Sequence, residues 1–341
     1  MVEWSKIADN GSYEEWDREL LKSKDYNIFQ SYNWGEFKRK SGWTPLRYTA
    51  IDKSGSHVAM AQILIKAPFP GIRFGWAPGG PVLVFPGKSI KDISNIIESL
   101  LFIIKETTGI STIRFFSLMP TQAFFSYSIN RHLKRPIYKI NSGYSIELEL
   151  PAENENLLSQ MTSKHRYYLK KAIGENLDWK AGNEDRDISD FLKTHSDMVI
   201  GKTLQSLSKN RKDIENMCSS LRDHVLILNG YIHGEVVTSC LILIFGKKAF
   251  YMSAATNTRG REISAAYAMF NRMIAILREK GISDFDFGGI DPENSSAEGV
   301  NHFKRGFGGN LVEYVGEWEW SSSEMMRYAI NGAIRYKAGR L

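Results

Sequence analysis

Near the end of the 341-residue chain, Asp284-Phe285-Asp286-Phe287 alternates like a strand and runs into Gly288-Gly289. A polar loop follows, then an aromatic, basic and glycine-rich cluster, Phe303-Lys304-Arg305-Gly306-Phe307-Gly308-Gly309. The paired glycines read as the stop of the strand, close to the lysine, and Lys304 reads as a cation in a glycine-rich loop. A cation held there could meet a phosphate or the oxyanion that develops on an attacked carbonyl. It is equally the pattern of an ordinary loop lysine. Phe303 can pack, and Arg305-Gly306 leaves the backbone open to a ligand.

A second basic stretch is Met161–Trp179, where Lys164, His165, Arg166, Lys170 and Lys171 interleave with Tyr167 and Tyr168. Arg166 and Lys170 are four apart and share one helical face. Basic groups beside aromatic rings suit phosphate contact with base stacking, or make a solvated helix face. In Phe29–Trp43, Trp34, Phe37 and Trp43 look like packing residues. Lys38 lies one helical turn after Trp34 and either reaches a cleft or pairs with Glu36 or a neighbour. No Ser/His/Asp order, nucleophile elbow or Cys/His pair stands out. The simplest chemistry is direct attack of an amine on an activated acyl group, with no covalent enzyme intermediate.

The elements that would position these residues are written twice. Leu46–Ala67 reads as strand, Lys-Ser-Gly turn and strand, and His224–Gly246 repeats the shape, turning at His233-Gly234. Ile90–Leu118 reads as a helix, a stop at Gly109 and a strand; Ala265–Ile290 repeats that order with its stop at Gly281. The expected fold class is α+β, with mixed, mostly antiparallel sheets. The element order fits two tandem GNAT-like acyltransferase domains, an analogy that does not itself give a function. The expected division is a first domain over 1–150, completed by 318–341, and a second over 151–317.

A GNAT acetyltransferase grips the pyrophosphate of coenzyme A on a glycine-rich turn that opens its long helix. The matching stretch here, Asn257–Phe270, keeps Arg259, Gly260 and Arg261 but places Glu262, Ile263 and Ser264 where further glycines would be. Glu262 puts a negative charge at the phosphate position and argues against acetyl-CoA. The final Ser321–Leu341 stretch reads as a basic amphipathic helix that packs back on the protein or contacts a membrane.

Composition narrows the class further. A chain with 43% hydrophobic and 24% charged residues is globular, and its net charge of +6 favours an anionic partner. Cys218 and Cys240 alone give no disulfide framework and no metal-ligand spacing, so no metal site is expected. The acidic, broken N-terminus is no signal peptide, and the expected location is cytoplasmic.

Taken together, Trp34 with Lys38, Ala77–Leu83, the stretch opening at Ser163, Phe285–Asp291 and Gly299–Trp318 resemble the FemABX family, the peptidoglycan interpeptide-bridge aminoacyltransferases. The resemblance covers nearly the whole chain. It implies two GNAT-like domains with a cleft between them, the first on the acceptor side and the second on the donor side. It further implies transfer of an amino acid from aminoacyl-tRNA to a muropeptide or nucleotide-linked envelope precursor, without cofactor and without DNA, at the inner face of the membrane. The family's Phe-Lys pair falls on Phe303 and Lys304, as catalytic residues. Its acceptor-binding lysine falls on Lys38, beside Trp34, and a basic residue of the loop before the second hairpin falls on Arg211. Arg166, Lys170, Lys171, Arg259 and Arg305 would take tRNA phosphates.

Two departures concern the acceptor. Ile113–Pro120 lacks the family's Asp-Pro pair, and Ser253 stands where a family tyrosine often sits. A long charged insertion is missing from the second domain, which resembles the compact members acting on the first residue of the bridge. Two other readings stay open: an N-acyltransferase that uses an acyl thioester to modify an envelope polysaccharide, and a non-catalytic envelope protein.

Overall fold

The computed structural model describes residues 2–7, 12–84, 90–121, 129, 131–150, 157–201, 209–293 and 297–338. The chain divides into two compact units, Met1–Gly143 with Glu313–Leu341, and Tyr144–Val312. Each unit is built around a sheet of the same pattern.

In the first unit the strands are β1 (Glu3–Lys6), β2 (Thr44–Ile51), β3 (His57–Phe69), β4 (Ile72–Pro78), β5 (Val82–Leu83), β6 (Thr112–Pro120) and β13 (Asn310–Ser321), the last belonging to this unit from Glu313. Their order is β1-β2-β3-β4-β6-β13, with β5 on β3. β4 and β6 are parallel, and the other pairs are antiparallel. The parallel pair needs a crossover, which helix Ile90–Thr108 supplies. That helix buries Ile93, Ile96, Ile97, Leu100 and Ile104 against Tyr48, Ala50 and Ile63 of the sheet. At helical spacing these positions form one apolar stripe, so packing, more than intrinsic propensity, fixes the helix.

The second unit contains β7 (Tyr144–Glu149), β8 (Asp178–Gly182), β9 (Val225–Ile232), β10 (Glu235–Phe245), β11 (Lys248–Thr256) and β12 (Asp284–Ile290). Read from the other end, the order β8-β9-β10-β11-β12-β7 repeats that of the first unit. β11 and β12 are parallel, joined through helix Ala265–Glu279, and the remaining pairs are antiparallel. Met269, Phe270, Met273, Ile274 and Leu277 of that helix pack on Leu228, Ile242, Phe285 and Phe287. Both expected hairpins are present, as β2–β3 and β9–β10. The sixth strand of each sheet departs from a simple repeat. β7, although it precedes residue 150, belongs to the second unit and pairs there with β12, and β13 completes the sheet of the first.

The C-terminal helix, Glu324–Ala338, lies on the first unit through Ile330 and Asn331, both buried. Asn331 and Arg327 bond to Glu319 of β13. The tail therefore packs back on the protein, while Met325, Tyr328 and Tyr336 face outward.

Candidate active site

Lys304 is not in a loop. The polar stretch after the glycines folds into helix Glu298–Arg305, with Glu298 in its first turn and His302, Lys304 and Arg305 in its last, which complements the helix dipole. The stretch Asp284–Phe287 does not stop at Gly288-Gly289 either; β12 runs on to Ile290 across a register shift against β7 between Asp286 and Gly289. That irregularity is the core of the site. Gly288 sits at φ +70, and a Cβ there would lie 2.9 Å from the Tyr251 carbonyl oxygen, so only glycine fits. The bulge turns two backbone carbonyls toward the helix. Lys304 Nζ donates to Gly288 O at 3.2 Å and to Gly289 O at 2.7 Å.

The lysine is buried, 9% exposed, and burial lowers its pKa to about 8 against the opposing pull of the Asp286 carboxylate. An ammonium has three N–H donors. Two are spent on the glycine carbonyls, and among the described residues one remains for a ligand. This is a held cation in a low-dielectric place, where a developing negative charge is stabilised most strongly.

Both ends of the lysine helix are fixed. Near its start, Asn301 Nδ2 donates to Asp291 O at 2.6 Å, and Asp291 N donates to Asn301 Oδ1 at 3.2 Å, tying the helix to the end of β12. At its end, Thr162 N donates to Gly306 O at 2.9 Å. His165, expected as part of a basic surface, is instead fully buried against Gly306. A Cβ on Gly306 would come within 1.9 Å of the imidazole. His165 Nε2 lies 3.0 Å from the Phe303 carbonyl, which can only accept, so Nε2 carries the proton and Nδ1 accepts from Thr162 Oγ1 at 3.0 Å. Burial holds this imidazole below its usual pKa. Phe303 packs its ring against Phe307 and Tyr267, at 4.9 and 5.3 Å between centroids. Its role here is to seat the helix beside the lysine.

The basic residues expected at phosphates fall in two places. Arg166, Lys170 and Lys171 are exposed on helix Ser163–Ile173, although the Arg166 guanidinium bonds to the carbonyls of Leu158 and Met161. Lys171 Nζ donates to Glu262 O at 3.0 Å, and Arg259 pairs with the Glu262 carboxylate at 3.3 Å. Lys171, Arg259 and Glu262 thus come together. The turn that would cradle a pyrophosphate is instead a short helix, Thr258–Glu262, with Gly260 N capped by Asn257 Oδ1 at 2.9 Å. Arg305 is exposed at the end of the lysine helix.

The residues expected on the acceptor side fall in both units, Trp34 and Lys38 in the first and Arg211 in the second. Trp34 is 2% exposed in the core of the first unit, against Phe29 and Phe37. Glu36 is held by Arg39 and Arg47 at 2.9 Å each. The Lys38 ammonium lies over the Trp34 and Phe37 rings, at 4.7 and 4.5 Å from their centroids. Trp34 is therefore the floor on which Lys38 rests. Arg211 is not in a loop: it opens helix Arg211–Leu221 and pairs with Asp185 at 2.8 Å and Glu215 at 3.1 Å. Its Nη2 also donates to Ser189 Oγ at 2.6 Å. These partners come from its own helix and the preceding one, and they occupy the guanidinium.

Sequence reasoning missed Asp286 as a functional group and missed Ser145 entirely. Ser145 Oγ donates to Asp286 Oδ1 and lies 2.9 Å from Gly288 O, while Gly288 N donates to Asp286 Oδ1 at 2.7 Å. The alternation of Asp284 and Asp286 before two glycines was the available signal. Ser145 had none, because only strand register brings it there.

The fold is a tandem GNAT-like architecture, and its second unit holds the buried lysine. A tandem GNAT protein from the clavulanic acid biosynthesis pathway shares the fold, with a TM-score of 0.56 and 11% identity over 95% of this chain and 99% of that one. FemX, in its crystal structure, matches with a TM-score of 0.81 and 16% identity, covering 96% of this chain and all of the other. The FemAB family model matches residues 202–335, the stretch that holds Lys304. A lipid II:glycine glycyltransferase of Staphylococcus haemolyticus is 27% identical over 124 residues, 36% of this chain and 30% of the relative's own length. The chain thus spans less than half the length of the staphylococcal relatives it matches. The resemblance to the FemABX family is borne out by the family model, the relatives and the fold.

Proposed function

We propose that the protein is an aminoacyltransferase that moves an amino acid from aminoacyl-tRNA to an amine of a peptidoglycan precursor or a related envelope acceptor. The observation that carries the reading is Lys304, buried and held by two carbonyls with an N–H to spare, inside the stretch that matches the FemAB family. The acceptor amine, in its neutral form, attacks the aminoacyl ester carbonyl, the oxyanion takes a hydrogen bond from the remaining Lys304 N–H, and collapse breaks the ester C–O bond as the proton lost by the amine passes to the leaving ribose oxygen. No covalent enzyme intermediate is needed. Arg166, Lys170, Lys171, Arg259 and Arg305 are the cations proposed to take the tRNA phosphates, and Lys38 and Arg211 those proposed for the acceptor. By its resemblance to the compact members, the protein adds the first residue of a bridge.

The helical, capped turn at Thr258–Glu262 spends on its own chain the amides a coenzyme A pyrophosphate would need, which favours tRNA over an acyl thioester. Among the described residues no helix is long and apolar enough to cross a membrane. A cytoplasmic enzyme with a lipid-linked acceptor would work at the inner face of the membrane. The outward Met325, Tyr328 and Tyr336, with Arg335 and Lys337 in the last turn, suit peripheral contact there. The test is incubation with a mixed charged-tRNA pool and lipid- or nucleotide-linked muropeptides. A mass increment of one aminoacyl residue is expected. Transfer from an acyl-CoA with none from aminoacyl-tRNA would reverse the choice of donor.

A further inference from the structure

Asp286 touches no part of the proposed reaction path, yet the geometry around Lys304 is organised on it. Its carboxylate Oδ1 is the common acceptor for Ser145 Oγ, from β7, and for Gly288 N at 2.7 Å. The same Ser145 hydroxyl lies 2.9 Å from Gly288 O, so its single proton is shared between Asp286 Oδ1 and that carbonyl, and the two side chains bracket one residue in the bulge. That grip fixes the left-handed conformation of Gly288 and aims the carbonyls of Gly288 and Gly289 at Lys304 Nζ. We propose that Asp286, pinned by Ser145, is a positioning residue: it sets the bulge that holds Lys304 and supplies the counter-charge of that buried ammonium.

The other titratable groups around the lysine do not share this role. Tyr251, on β11, has its hydroxyl pushed well above the usual phenol range by burial and stays neutral. Glu147, opposite Asp286 on β7, is exposed to solvent, which screens it. His165, from helix Ser163–Ile173, is held neutral by burial, and its Nε2 is committed to Phe303 O. His302 and Arg305, on the lysine's own helix, are exposed. Asp286 is the charge that acts on Lys304.

This inference rests on the reading of Lys304 given above, so its experiment includes a readout that needs no substrate. The pH dependence of Lys304 acylation by a small amine-reactive reagent, followed by mass spectrometry, reports its protonation directly. Asp286→Asn keeps an oxygen acceptor for Gly288 N and Ser145 but removes the charge. The midpoint of Lys304 labelling is expected to fall by about one pH unit or more, the usual effect of losing a close opposite charge. The alkaline limb of the transfer rate is expected to move with it. Asp286→Glu keeps the charge and is expected to hold the midpoint, whereas Ser145→Ala keeps both charges and is expected to lower kcat at neutral pH with little shift in the midpoint. A labelling midpoint unmoved in Asp286→Asn, or displaced equally in Asn and Glu variants, overturns the proposal. If wild type transfers nothing to any acceptor, the proposed function fails, while the labelling midpoints still decide the role of Asp286.

Discussion

The first unit buries Arg47 and Arg114 and the second buries Lys304, and Arg114 and Lys304 are treated differently. Arg114, in the first, is fully buried between carboxylates: its Nη1 lies 3.3 Å from Glu317, and its Nη2 lies 2.8 Å from Glu319 and 2.8 Å from Asn331 Oδ1. Nη1 also donates to Tyr138 O at 3.0 Å. Glu317 in turn accepts from the amides of Ile140 and Asn141, and Glu319 from Arg327. The cluster knits β6, β13, the 138–141 segment and the C-terminal helix together. Lys304 has no such set of partners. It rests on neutral carbonyls and the field of one carboxylate that is itself bonded elsewhere. Arg114, in direct contact with two carboxylates, ties the fold together, whereas Lys304, in contact with neutral carbonyls and with one N–H left among the described residues, is the cation proposed to meet a ligand.

The sharpest way to break this contrast is to delete each cation and measure stability. Arg114→Met leaves Glu317 and Glu319 buried without their partner and is expected to cost about 3–5 kcal/mol in denaturant unfolding. A loss no larger than that of a surface substitution would remove the distinction. Gly306→Ala drives a methyl into the His165 ring and should cost about 1–3 kcal/mol through overpacking, lowering transfer as the lysine helix shifts.

Lys304→Met is expected to change stability at pH 7 by less than about 1 kcal/mol, because two terms oppose. The folded pKa of about 8 lies below the free value of 10.5. Burial of the charged form therefore costs stability at all pH values below about 8, and that cost is relieved as pH rises toward 10.5, where the unfolded chain binds more protons. The cost is about 3 kcal/mol at neutral pH. Removing it is offset by leaving a glycine carbonyl unbonded, at about 1–3 kcal/mol. The same titration predicts that the wild-type transfer rate falls above about pH 8, as the ammonium is lost. A rate that climbs through that range would show the lysine acting as a base. The smallest effect belongs to Arg211→Ala: its ion pairs are solvent-exposed, so the unfolding midpoint should not move, and any rise in KM would report a contact with the acceptor.

What was legible in the sequence was local. The hairpins at β2–β3 and β9–β10 carry their own turn residues, and the two crossover helices carry apolar stripes long enough to be unambiguous. Lys304 could be picked out by type and neighbourhood but not placed. Helix Glu298–Arg305 is short and polar, with too few apolar residues to show a period. The bulge at Gly288 depends on the register of β12 against β7, and Ser145 reaches Asp286 from 141 residues away in the chain. His165 looked like its basic neighbours because its burial depends on a glycine that pairs with it only in the folded chain. Long-range register and close packing decide such contacts, and neither leaves a mark in a short window of sequence.

The central claim is that Lys304 stabilises the transition state of acyl transfer. The most direct measurement is the single-turnover rate of Lys304→Met at saturating aminoacyl-tRNA and acceptor, on protein that unfolds at the wild-type midpoint. The account predicts a rate lower by a factor of about 10² to 10³, the usual loss for one oxyanion donor. A rate within about twofold of wild type at saturation, with only KM raised, would make Lys304 a binding residue and contradict the account.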